Sequence, residues 1–151
     1  MYILMILLTM FVLPIASILA EAFLFKSNAG IMFLIGKWFV FWAVGIRLFL
    51  AGFRQATDPQ FTAEKILGIK GSEPFILVQE LGFANLSMGV LGISTIFNGA
   101  WTMATALAGC IFIGLAGIRH IFSKERNRLE NSAMVSNLMV SAVLLVYLIL
   151  R

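Results

Sequence analysis

Apolar residues fall into five long, nearly unbroken blocks, at about residues 2–25, 31–53, 75–97, 100–122 and 133–150. A helix needs about 20 apolar residues to cross roughly 30 Å of hydrocarbon, and each block reaches or approaches that length. None shows the alternating ten-residue pattern of an outer-membrane barrel. The pattern predicts an all-α integral membrane protein. Spans two to five form a four-helix transmembrane bundle, with an N-terminal transmembrane helix packed outside it, and residues 1–151 make one membrane domain.

The first block contains Pro14 and Glu21. Proline should kink the helix or be accommodated by a neighbour. No Lys or Arg precedes the block, and it is longer than a typical 7–15-residue signal core. We read it as a retained helix, with cleavage after a small residue such as Ala20 as the alternative.

The polar intervals set the topology. The 54–74 loop carries Arg54, Lys65 and Lys70, and the loop after span four carries Arg119, Lys124, Arg126 and Arg128. Those two loops hold seven of the eleven basic residues. The positive-inside rule assigns them to the cytoplasm. The N-terminus is then cytoplasmic, the C-terminus outside, and the site the plasma (inner) membrane. Within 54–74, Asp58 and Pro59 read as N-cap and N1 of a helix. Phe61, Ile66 and Leu67 give that helix an apolar side, and Gly68 ends it. A short interfacial helix is expected, with a solvated turn as the alternative.

Lipid gives helices no hydrophobic reason to pair, so small residues mark contact faces. Span two sets Gly45 and Gly52 on one side, with Arg47 and Arg54 on the other. Span three sets Gly82, Asn85, Gly89 and Gly92 on one side, with Glu80, Ala84, Ser87 and Ser94 roughly opposite. Both its sides are small or polar, so span three is expected to be surrounded by protein. Span four lines up Thr102, Ala106, Gly109, Ile113, Gly117 and His120. Span five carries Asn137 and Ser141 on one face.

Composition agrees with the blocks. Apolar types make up 61%, charged types 12%, and mean hydropathy is +1.00. Soluble domains run near 45–50% apolar and about 25% charged. A water-soluble globule, a disordered tail and a nucleic-acid module are excluded. The partner that composition demands is the lipid bilayer, with a homo-oligomer or a larger membrane complex also open.

Ionisable groups inside spans are costly and mark candidate sites. Arg47 lies seven residues before Arg54, about 10 Å deep, and Glu80 about 8 Å deep, at 1.5 Å per residue. With His120 and Asn137 they fall in the cytoplasmic half, and Asn85 extends the set. Arg47 and Glu80 are expected to couple, either as a structural ion pair or as the wall of a pocket for an anionic or quinone-like head. Glu21 and Lys37 occupy the opposite half, where they could pair. Arg47, Glu80, Asn85, His120 and Asn137 are therefore the ligand-binding candidates. No catalytic set, metal-ligand spacing or phosphate loop is visible, and no cofactor is called for. The lone Cys110 reads as a small packing residue.

From about Gly45 to Ile121 the chain resembles the DoxX-like group of small bacterial and archaeal membrane proteins, closest to an uncharacterised branch. The residues that carry this are GIRLFLAGF (Gly45 to Phe53), PQFTAEKILGI (Pro59 to Ile69), ELGFANLSMGVLGI (Glu80 to Ile93) and GLAGIRH (Gly114 to His120). The resemblance covers about half the chain. It implies a four-helix membrane bundle, here with an extra N-terminal span. Some relatives in that group are linked to sulfur or quinone redox chemistry, but this chain shows no redox residue to support that activity.

Three functions follow as expectations. The first is a non-enzymatic membrane protein, self-assembling or an accessory subunit of a membrane complex. The second is a binder or carrier of a small lipophilic or anionic ligand in a cytoplasm-facing pocket at Arg47 and Glu80. The third, by family analogy alone, is a quinone-linked redox component. A closed interior favours the first, and a cavity reaching Arg47 and Glu80 the second.

Overall fold

A computed structural model describes residues 2–26, 28–69, 71–123 and 126–151. Among these residues there are helices and turns and no strand. Five helices are long and apolar enough to cross a membrane: α1 (Tyr2–Leu24), α2 (Ile31–Thr57), α4 (Pro74–Ser94), α5 (Gly99–Ile121) and α6 (Arg128–Leu150). Between α2 and α4 lies the short α3 (Phe61–Ile66), where an interfacial helix was expected. Gly68 follows it at φ +71°, a left-handed value that glycine adopts without strain.

Proline in α1 is absorbed by a local widening of the helix. The turn Leu8–Val12 is π-helical, and the Leu13 N–H reaches back to the Leu8 carbonyl just before Pro14. Such bulges take up a residue that the regular ladder cannot hold. α1 sits at the periphery and still contributes to the core. Met10 is fully buried, and Ile6 and Ile18 join the same cluster.

The central element is α2, the most enclosed of the five long helices. It packs along α4 through glycines. A Cβ on Gly92 would lie 2.5 Å from Gly45 Cα, and one on Gly89 would lie 2.6 Å from Phe49 Cα. Only glycine lets the two backbones approach so closely. The faces read from the sequence for spans two and four are the buried ones. The expectation that span three is surrounded by protein is corrected. Val78, Gly82, Asn85, Gly89 and Gly92 are buried against α2, while Glu80, Ala84 and Ser87 are exposed. The polar residues on the open side bond inward to their own helix. Ser87 Oγ donates to the Phe83 carbonyl at 2.9 Å and Ser94 Oγ to the Val90 carbonyl at 2.8 Å. A serine satisfied in this way needs no protein neighbour.

α5 and α6 form a second antiparallel pair. Ser141 Oγ donates to the Cys110 carbonyl at 2.9 Å, and Cys110 Sγ lies 3.4 Å from the Ser141 carbonyl. α6 begins at Arg128, earlier than the apolar block that marks span five, because Asn127 caps it. The Asn127 Oδ1 accepts from the N–H groups of Leu129 and Glu130, both at 2.9 Å. The same side chain donates through Nδ2 to the carbonyls of Lys65 and Ile66, at 3.0 and 3.1 Å. Those bonds put the two basic loops at one end of the bundle. Tyr2 is there too, its ring 6.2 Å from that of Phe61. At the other end, Lys37 Nζ donates to Glu21 Oε2 at 2.7 Å and Trp38 Nε1 to the same oxygen at 2.8 Å. Glu21 and Lys37 thus pair where the sequence allowed it.

Candidate functional site

A cavity of about 420 Å³ opens inside the end that carries the basic loops. All six helices line it. Tyr2 and Met5 come from α1, Arg47, Leu48 and Gln55 from α2, and Phe61, Thr62 and Ile66 from α3; Asn85, Ile113, His120 and Asn137 complete it from α4, α5 and α6. Most of the lining is apolar. Four of the five candidate residues, Arg47, Asn85, His120 and Asn137, meet there.

Arg47 follows directly on the π-helical stretch Val40–Ile46 of α2. It is 7% exposed, and its Nη2 donates to Asn137 Oδ1 at 2.6 Å. A guanidinium carries five N–H donors. Among the described residues no carboxylate lies within 4.0 Å of it. The expected Arg47–Glu80 pair is therefore corrected. Glu80 is exposed on the open side of α4 and does not line the cavity. Depth counted from the loops puts the two residues at one level, but the register of the helix pair does not: Gly45 meets Gly92, whereas Gln79, next to Glu80, donates to the Ala56 carbonyl, nine residues along α2 from Arg47. Glu80 is two residues from Gly82, and so points away from the face that meets α2.

Asn85 is 5% exposed, and its Nδ2 donates to Gln55 Oε1 at 2.6 Å. Among the described residues its Oδ1 is buried without a partner, and turning over both this amide and that of Gln55 would orphan the nitrogen instead. His120 Nδ1 lies 3.0 Å from Glu130 Oε1, and the two side chains are 14% and 5% exposed. Glu130 sits in the first turn of α6, where a carboxylate is favoured by the helix dipole. At the mouth, the Arg54 guanidinium lies 3.5 Å over the Phe61 ring and 3.7 Å from Asp58 Oδ2.

Three contributors escaped sequence reasoning. Glu130 was hidden because the last apolar block reads as starting after it. The spacing Asn127-x-x-Glu130, a helix-start signature, was its available signal. Gln55 lies three residues after Gly52, a polar residue near the small-residue seam. Tyr2 gave no signal. Among the described residues no group of three His, Cys, Asp or Glu side chains is placed to hold a metal ion. A polar floor under an apolar wall is suited to holding an amphiphilic molecule by its head.

The profile of a family of unknown function, DUF6790, matches residues 4–151. No curated protein and no solved structure matches the chain.

Proposed function

From the premise that the chain belongs to the DUF6790 family, we propose that it is a multi-pass membrane protein that binds a small amphiphilic molecule in the six-helix cavity. A single observation carries this reading. The interior is not closed by side chains. It leaves about 420 Å³ beside Arg47, within the size range of small-molecule sites. A protein that only assembles with others has no use for a mostly apolar cavity with a buried cation in its wall, lined from all six described helices. That weighs against the reading as a purely self-assembling or accessory subunit. Four candidate residues from four different helices converge on the cavity.

In this reading the five long helices cross the plasma membrane. The end bearing Arg54, Arg119 and Arg126 faces the cytoplasm, Tyr2 lies on that side and Arg151 lies outside. The cavity then opens towards the cytoplasmic leaflet. Kinship with the DoxX-like group is proposed on the motifs given above, and no redox activity is attached to it.

The test is native mass spectrometry of gently extracted protein, comparing the unaltered chain with Ala116→Leu, which adds bulk to the lining. Retained small-molecule adducts that disappear in the folded variant are expected. Adducts retained equally by both would overturn the cavity as the binding place.

A further inference from the structure

We infer that the molecule held in the cavity is an anionic amphiphile, its acidic head bound by Arg47 and its apolar body lying along the wall formed by Leu48, Ile66 and Ile113. The inference rests on the binding function proposed above and names the chemistry of its ligand.

The argument is one of charge and donors. Arg47 is a buried cation whose one bond goes to a neutral amide, Asn137 Oδ1. A guanidinium out of water with no counter-charge is expensive, and proteins meet that cost with an anion or with hydrogen-bonded acceptors. Among the described residues no carboxylate lies within 4.0 Å of Arg47, and Glu64 of α3 accepts from Gln60 Nε2 at 3.1 Å. Glu130 is held by His120 at 3.0 Å, and Asp58 lies against Arg54 at the mouth. Glu80, the acid expected to serve Arg47, is on the outer side of α4. The unused nitrogens of Arg47 have no partner among the described residues, and they are not among the buried atoms closed off from space. They therefore border the cavity. Asn85 Oδ1, the buried acceptor without a partner among the described residues, is closed off from space, so what Arg47 presents to the cavity is donors and a positive charge, which an acid head fits and an amine head does not. The remaining wall is apolar, so a free inorganic anion would leave most of it empty.

The experiment compares heads on a constant chain. The full-length protein in nanodiscs is titrated calorimetrically with decanoate, decanol, decylamine and acetate, with empty nanodiscs subtracted. Charge-assisted bonds are roughly twice as strong as neutral ones, so decanoate should bind about tenfold more tightly than decanol, with decylamine and acetate weaker still. In Arg47→Gln, which keeps a donor for Asn137, the preference for decanoate over decanol should fall to about threefold or less while decanol binding persists. Saturable binding of decanoate and decanol with equal affinity would overturn the anionic head and leave the binding function standing. Acetate binding as tightly as decanoate would overturn the amphiphile. No saturable binding of any of the four would overturn the binding function itself. The head-group comparison uses the unaltered chain, so it stands even where the variant does not fold.

Discussion

Replacing Gly89 by alanine puts one methyl group between α2 and α4. That methyl would lie 2.6 Å from Phe49 Cα and 2.8 Å from Phe49 Cβ, well inside van der Waals contact. The nearest atoms are backbone, so no side chain can rotate away and the helices must separate. Forced overpacking costs about 1–3 kcal/mol, occasionally more, and here the upper half of that range applies. Alanine returns up to about 1 kcal/mol through its helix propensity. The net loss is then about 2 kcal/mol, which for a chain of this size lowers the midpoint by roughly 4–8 °C. Leu91→Ala, two residues away on the exposed side of α4, is the control and should change stability by less than about 0.5 kcal/mol. Thermal unfolding in mild detergent, followed by far-UV circular dichroism, reads both. If Gly89→Ala is as stable as the unaltered chain, the α2–α4 seam is not the close backbone contact described above.

Three further outcomes are expected. Arg47→Leu and Asn137→Leu should each destabilise the protein, and the double variant should cost about 0.5–3 kcal/mol less than their sum; strictly additive losses in the same assay would deny the contact. Glu80→Gln should be neutral within about 0.5 kcal/mol, whereas Glu130→Gln, which weakens the bond to His120, should cost on the order of 1–3 kcal/mol; the reverse ranking would restore Glu80 as the interior acid. Cysteines introduced at Ser72 and Ser123 in a Cys110→Ala background should resist an impermeant thiol reagent in intact cells, and labelling of either would reverse the orientation.

The blocks of apolar residues made the five long helices legible, because length and composition alone decide whether a helix is long enough to cross a bilayer. Glycine spacing made the α2–α4 and α5 contact faces legible for a similar reason, since nothing else permits backbone approach. The open side of α4 was misread. Ser87 and Ser94 look like contact residues in one dimension, but each hydroxyl bonds to its own helix one turn back. For the site, neither the register of α2 against α4 nor rotation was readable. Arg47 stands near Gly89 and Gly92 while Glu80 stands near Ala56 and points outward, and the residue that meets Arg47 is neutral and 90 positions away. Asn127 shows the same limit. Its capping role is local, whereas its grip on the carbonyls of Lys65 and Ile66 depends on how two distant loops come together.

The bond between Arg47 and Asn137 also orders events during synthesis. Helices α2 and α4 hold each other through glycine contacts made within the first two-thirds of the chain, and α5 and α6 form their own pair afterwards. Synthesis runs from the N-terminus, so N-terminal elements can begin to pack first. Arg47 is therefore made, and its helix packed against α4, well before Asn137 exists. Until Asn137 arrives, the cavity lacks a wall and its cation lacks the amide that steadies it. The cavity is the last part of the molecule to be finished, and a nascent chain halted before α6 would hold the α2–α4 pair without it.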